Sequence, residues 1–366
     1  MEETTLKPIP PINGETPTAS TDPVVAVDAR SSTGGGTGAL LDVRDLSVLL
    51  GKPEERVAAL SAVNLCLAPG EVLGVVGESG GGKSTLANAI VGILPDRSLA
   101  SGEVLFEGKN VLAMNDAALR RHHGGNAALC FQNPRDALNP TRRVGRQLSD
   151  RLSTHRGLRG AAADGEALAL LESVGIRSPK KRLRAYPHEL SGGMCQRVMI
   201  GLSLACAPKM LIADEPTTGL DVTLTQEILA LIRAAATEQG RAVMIISHDL
   251  VALAASCDRI AVLYAGQIIE EGEVDAVICR SAHPYTRALL DAVPDVSGLP
   301  VRAIPGTMPT LREPPSSCPF APRCTMAEER CRSEVPPDTR VAPAHRASCF
   351  FAEEIEADSH AAARHQ

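Results

Sequence analysis

EVLGVVGESGGGKSTLANAIVGIL, residues 71–94, decides the fold. The apolar run Val72–Val76 reads as a buried strand, and Leu86, Ile90, Ile93 and Leu94 fall on one face of a helix that follows it. Between them stands the pattern G-x-x-x-x-G-K-S, made of Gly77, Glu78, Ser79, Gly80, Gly81, Gly82, Lys83 and Ser84, with Thr85 next. Small residues let backbone N–H groups close around phosphate oxygens, and the helix behind them offers its N-terminus to the anion. Lys83 reaches the terminal phosphates and Ser84 can ligate Mg²⁺. A glycine-rich turn with an exposed lysine is the plainer reading of such letters. Here the strand before and the helix after supply the context that a phosphate loop requires.

Two further strand ends carry chemistry. The run Met210–Ala213 leads into Asp214 and Glu215, 131 residues beyond Lys83. An aspartate at the end of a buried strand can hold the Mg²⁺ shell, and the next carboxylate can polarise a water aimed at the γ-phosphate. The run AVMIISHD brings His248 to the end of another strand, within reach of the same phosphate. A histidine in that place is usually a surface or core residue, and it gains meaning from its companions.

The chain around these motifs has 366 residues, 44% hydrophobic and 22% charged, enough for two or three modest units. Residues 1–39, rich in Pro, Thr, Ser and Gly, hold too little apolar surface to offset the entropy of ordering and are expected to be a disordered tail. From 40 to 277 short apolar runs alternate with amphipathic stretches, the pattern of an α/β unit with a mostly parallel sheet. From 278 to 366 the chain turns Pro- and Cys-rich and reads as a separate, loop-dominated extension. The first twenty residues have neither a basic n-region nor an apolar h-region, and no run of 18 apolar residues occurs, so an export signal and a membrane span are not expected. Six cysteines (Cys66, Cys130, Cys195, Cys206, Cys257, Cys279) stand singly, which suits a cytoplasmic chain better than a disulfide framework. A net charge of −6, no Trp, five Phe and three Tyr argue against a nucleic-acid binder.

YPHELSGGMCQRVMIGLSLACAPKMLIADEPTTGLDVT, residues 186–223, brings in a family: with the phosphate loop it resembles the ATP-binding subunits of ABC transporters. Leu190–Met194 match the LSGG signature, Gly219–Asp221 the D-loop, and the likeness spans roughly residues 41–350. The resemblance implies an α/β P-loop NTPase core of the RecA-like kind with antiparallel β and helical subdomains, the helical one over roughly 135–205. It implies ATP with Mg²⁺ held through Ser84, Gln132 and Asp214. Gln132 in CFQNP stands for the Q-loop residue, Glu215 for the general base and His248 for the switch histidine. Ser191, Gly192 and Gly193, at the start of a helix expected over Met194–Ala205, form a second anion site on physical grounds too. In the family that signature, with Asp221, completes the ATP site of an opposed subunit, so a head-to-tail dimer is implied. Two departures stand out. Cys195 occupies a place where close relatives usually have Arg, and LSVLLGKPEERVAAL offers no aromatic to stack adenine, which leaves aliphatic groups such as Val57.

HPYTRALLDAVP, residues 283–294, and CPFAPRC after it look like the C-terminal extension of peptide-type importers, which serve dipeptides, oligopeptides, nickel and some opines or sugars. A paralogous ATPase subunit, two membrane permease subunits and an extracytoplasmic binding protein are then implied partners, with this chain peripheral at the cytoplasmic face of the inner membrane. The six arginines between Arg142 and Arg159, against Asp150 alone, are a solvated helical face or a contact for an acidic partner. A soluble ABC ATPase of translation or DNA repair is the alternative function, and a redox-sensing binding protein a third.

Cys318, Cys324, Cys331 and Cys349 gather at the spacing C-x5-C-x6-C-x17-C. Four thiolates from a Pro-containing loop suit a [4Fe–4S] cluster, with four-thiolate Zn²⁺ and metal-free cysteines as the alternatives. The extension is expected to lie outside the phosphate sites, so a change at these cysteines should spare ATP hydrolysis.

Overall fold

The computed structural model describes residues 38–293 and 303–363, so all but the last two residues of the expected tail lie outside the described residues. Strands β1 (Leu41–Leu50), β2 (Val57–Leu67), β3 (Val72–Val76), β4 (Leu99–Phe106), β5 (Lys109–Asn110) and β6 (Ala127–Cys130) come first. β7 (Met210–Asp214), β8 (Ala242–Ser247), β9 (Arg259–Tyr264), β10 (Gln267–Glu273), β11 (Asp338–Ala342) and β12 (His345–Ser348) follow. They form a four-stranded sheet in the order β2-β1-β4-β5 and an eight-stranded sheet in the order β11-β12-β10-β9-β3-β8-β7-β6.

Neighbours from β9 to β6 run parallel. β3, β7 and β8 are buried at every position, as strands covered on both faces must be. Alternate side chains point to opposite layers. Leu73 and Val75 pack with Leu86, Ile90 and the inner residues of the four-stranded sheet. Val72 and Val76 belong to a second core shared with the helices Val144–Arg156, Ala161–Ser173, Gly192–Leu204 and Val222–Thr237.

The helix after the phosphate loop is shorter than its apolar pattern suggests. It spans Lys83–Val91 and stops at Gly92, whose φ of +80° and N–H bonds to Asn88 and Ala89 carbonyls close a left-handed cap. Leu86 and Ile90 are buried in it, but Ile93 and Leu94 fall beyond the cap and Ile93 is exposed. The signature helix starts at Gly192, two residues before the expected start.

The C-terminal residues do not stand apart. β12 pairs antiparallel with β10 and β11 with β12, so the extension supplies two strands of the main sheet. Buried Glu270 fastens the join: Oε1 accepts from Ala282 N–H (2.6 Å) and from His345 Nε2 (2.7 Å), and Oε2 accepts from His283 N–H (3.1 Å). No described helix is long and apolar enough to cross a membrane.

Candidate functional site

β3 delivers the chain to Gly77, where a Cβ would meet the Leu263 carbonyl oxygen at 2.1 Å. At Gly82, with φ +103°, a Cβ would lie 2.4 Å from the Ala59 oxygen, so neither position admits a side chain. Lys83 opens the helix and is buried; its Nζ turns back to donate to the carbonyls of Gly77 (2.7 Å) and Glu78 (2.8 Å). Burial holds the Lys83 ammonium below its ordinary pKa, against the pull of Glu215, Asp214 and Glu78.

Asp214 ends β7 beside this loop. Burial raises its carboxyl pKa; a hydrogen bond from Ser84 and the charge of Lys83 oppose the rise, and Glu215 adds to it. Its Oδ1 is buried with no hydrogen-bond partner. A carboxylate oxygen left free beside a serine hydroxyl is a donor set for a hard cation, and these two residues fit Mg²⁺. Gln132, expected with them, donates through Nε2 to Glu215 Oε2 at 2.8 Å, which leaves its amide oxygen for the cation.

Glu215 has φ +45°, a left-handed backbone that costs a non-glycine residue energy, and its N–H donates to the Ile246 carbonyl at 2.9 Å. Oε2 also accepts from Thr218 Oγ1 at 2.8 Å and lies 3.5 Å from His248 Nδ1. The parallel registers Cys130 to Ala213 and Asp214 to Ile246 bring the ends of β6, β7 and β8 to one edge, which is why residues so far apart in sequence meet. The sequence alone does not single out Thr218. Its one local signal is its place three residues after Glu215, in a turn where Thr218 N–H donates to the Glu215 carbonyl (3.3 Å).

The signature residues occupy a different corner. Ser191 caps the helix Gly192–Leu204 by accepting from Met194 N–H at 3.3 Å, with Gly192 and Gly193 in its first turn. Asp221 caps the helix Val222–Thr237 by accepting from Leu224 N–H at 2.9 Å, and Leu224 lies against Gly193. The molecule thus brings Lys83, Ser84 and Asp214 together with Gln132, Glu215 and His248, and holds Ser191–Gly193 and Asp221 at a separate pair of helix starts. Cys195 is buried, its thiol donating to the Pro187 carbonyl at 3.5 Å.

The extension reaches the phosphate loop, and the expectation that it lies outside the site is overturned. Next to half-buried Val57, Ala58 N–H donates to the Leu311 carbonyl at 2.7 Å. Tyr285 Oη accepts from Glu78 N–H at 2.9 Å. Arg323, inside CPFAPRC, meets the Glu78 carboxylate at 3.0 Å. These contacts form because the chain after β10 folds back over the ends of β3 and β9, which no local pattern announces.

All four C-terminal cysteines are free thiols. Backbone N–H groups of Phe320 and Ala321 face Cys318, that of Met326 faces Cys324, and that of Phe351 lies 3.5 Å from Cys349 Sγ. Burial pushes the Cys349 thiol up to about 11; the Phe351 N–H opposes the rise, and Cys318, Cys324 and Cys331 add to it. Among the described residues no three His, Cys, Asp or Glu side chains stand ready to hold a metal.

The six arginines from Arg142 to Arg159 are partly matched within the chain. Arg142 and Arg146 both pair with Asp150, and Arg156 with Glu166 (2.5 Å). Arg143 lies over the Tyr186 ring.

A family profile described as ABC transporter matches residues 60–218, and one described as the oligopeptide/dipeptide transporter C-terminal region matches residues 269–331. The probable peptide ABC transporter ATP-binding protein y4tR of Sinorhizobium fredii is 45% identical over 86% of this chain and 96% of its own length. The oligopeptide transport ATP-binding protein OppD of Escherichia coli is 42% identical, covering 85% of this chain and 93% of OppD. The dipeptide transport ATP-binding protein DppD of Escherichia coli is 39% identical over 86% and 97%. Among solved structures, the ATP-binding cassette MJ0796, dimeric with ADP and Pi after hydrolysis, superposes with a TM-score of 0.58 at 26% identity, over 64% of this chain and 98% of that one. The chain belongs to the ABC transporter family, as one of its ATP-hydrolysing, ATP-binding subunits that carry the oligopeptide/dipeptide transporter C-terminal region.

Proposed function

We propose that this chain hydrolyses ATP to energise an importer of peptides or related small solutes, with nickel, opines and sugars within the same class. The observation that carries the site is the convergence of Gln132, Thr218 and His248 on one oxygen of Glu215, beside Lys83, Ser84 and Asp214. All three contacts fall on Oε2, which leaves Oε1 to take the proton of an attacking water. Lys83 and the N–H groups of Gly77–Thr85 other than that of Glu78 hold the triphosphate, and His248 stands at the γ-phosphate side. Bound Mg²⁺ would neutralise phosphate charge, with Ser84 and Asp214 to hold it. Ser191, Gly192, Gly193 and Asp221 have no place in the chain's own phosphate loop, which supports a role in closing the site of an opposed subunit. Glu215→Gln should keep nucleotide binding and lower kcat by about 10²-fold or more, whereas Lys83→Ala should weaken binding itself. Near-normal turnover by the glutamine variant would remove Glu215 from the role of base.

The finer proposals concern assembly. A paralogous ATPase completes a heterodimer, two membrane permeases seat it at the cytoplasmic face of the inner membrane, and an extracytoplasmic protein delivers the solute. A cavity of about 360 Å³ supports the docking side: it is lined by Phe131, Leu138, Arg142, Asp150, His155 and Met199, between the Gln132 stretch and the helical layer. Phe131 is 51% exposed at its mouth, an apolar ring without cover of its own. The relatives' names are those of transport proteins, which gives a translation or repair ATPase no support. For the division of the chain we keep an ATP-binding unit over 40–277 and an extension over 278–366. A [4Fe–4S] cluster on Cys318, Cys324, Cys331 and Cys349, or Zn²⁺ in its stead, stays a proposal supported by the gathering of four free thiols with N–H donors around them. Iron and acid-labile sulfide in anaerobically purified protein test it, and protein holding neither iron nor zinc ends it.

A further inference from the structure

We infer that Arg323 and Tyr285, both in the C-terminal extension, are positioning residues of the ATP site that hold the phosphate loop through Glu78. Glu78 is the second residue of the loop, and its backbone and side chain are gripped from the same side. Its N–H donates to Tyr285 Oη at 2.9 Å. Its carboxylate is paired with Arg323, at 3.0 Å from Nη1 and 3.2 Å from Nη2.

The grip is built, because Arg323 has little freedom to do anything else. It is buried, its Nε donates to the Pro305 carbonyl at 2.6 Å and its Nη1 to Tyr264 Oη at 3.3 Å. Its guanidinium lies 5.7 Å from the centre of the Tyr264 ring and 6.0 Å from that of Phe320. Tyr264, Tyr285 and Phe320 pack on one another with ring centres 4.6 to 5.3 Å apart. A chain with only three tyrosines and five phenylalanines therefore places three of those rings beneath its phosphate loop. Such rings fix the guanidinium by stacking as well as by area.

Two consequences follow for nucleotide. A carboxylate on a loop that must receive a triphosphate repels it, and Arg323 cancels that charge in a partly dry setting where it counts. Holding the Glu78 N–H on Tyr285 also fixes the residue whose carbonyl takes Lys83 Nζ, so the lysine starts from a set place. The role assigned to Arg323 rests on the phosphate-loop reading of Gly77–Thr85.

The test uses the full chain and a fluorescent ATP analogue. Arg323→Gln should raise the Kd about tenfold and the KM for ATP in step, with kcat changed far less. Glu78→Gln in that background should restore the Kd to within about threefold, since the repelling charge is then gone. A role of Arg323 in merely ordering the cysteine loop would not be rescued by neutralising Glu78. Tyr285→Phe keeps the ring and removes the acceptor, and should raise the Kd a few-fold without unfolding the chain. Unchanged Kd in both Arg323→Gln and Tyr285→Phe, or failure of Glu78→Gln to rescue, overturns the inference. Lys83→Ala is the control: if it binds nucleotide normally, the phosphate-loop reading fails as well, and if it does not, only the role of Arg323 is lost.

Discussion

Thr218 and Gln132 hold one oxygen of Glu215, and so they set where the other oxygen points. Thr218→Val keeps the shape and removes the donor; kcat should fall by about tenfold with KM for ATP unchanged, because the loss is one of aim and not of binding. Steady-state ATPase measurements at saturating ATP check it, and an unchanged kcat would make Thr218 a bystander. At this scale the sequence is legible where chemistry coincides with a strand end. Asp214, Glu215 and His248 sit at or just past the end of an apolar run, Lys83 opens the helix after one, and sheet register does the rest. What convergence adds is not legible. That Gln132 meets a carboxylate rather than Ser84 or Asp214, and that Thr218 joins it, depends on side-chain directions across three strand ends.

Among the elements, β3, β7 and β8 are readable because burial on both faces writes an unbroken apolar run. β11 and β12, DTRVA and HRAS, carry no such mark: they are short and polar, and β10, with which β12 pairs, lies far upstream. The helix Pro284–Asp291 opens on its proline, and His283 before it is buried and caps it, Nδ1 accepting from Tyr285 N–H at 3.0 Å. Burial holds His283 down to about 3, against 6.5 in an unfolded chain. Below pH 6.5 the unfolded chain takes up a proton that the folded one refuses, so stability drops as pH falls toward 3, by at most about 1.4 kcal/mol per pH unit. His283→Asn keeps a capping acceptor and cannot titrate. Its urea midpoint should change less between pH 7.5 and about 5.5 than that of the parent chain, and equal changes would show that His283 does not drive the acid limb.

For the whole molecule, the exposed Phe131 and the cavity it lines are where the proposed permease docking is tested. Phe131→Asp should leave ATP hydrolysis by the isolated chain within about twofold and prevent co-purification with the permeases, since a charge cannot enter an apolar seat without cost. Recovery of the full complex with that variant would move the docking surface elsewhere. The proposed dimer is legible only through the signature, and the membrane partners only through the stretch 283–324, because one chain cannot display the surface that another completes. The Glu270 join has a consequence for biosynthesis. Glu270 lies 75 residues before His345, so the growing chain carries a core carboxylate with its imidazole still unmade and the edge of β10 uncovered. Ribosome-released fragments that stop short of residue 345 should therefore be degraded or aggregate, which makes completion of the last strand the moment at which the newborn protein becomes safe to release.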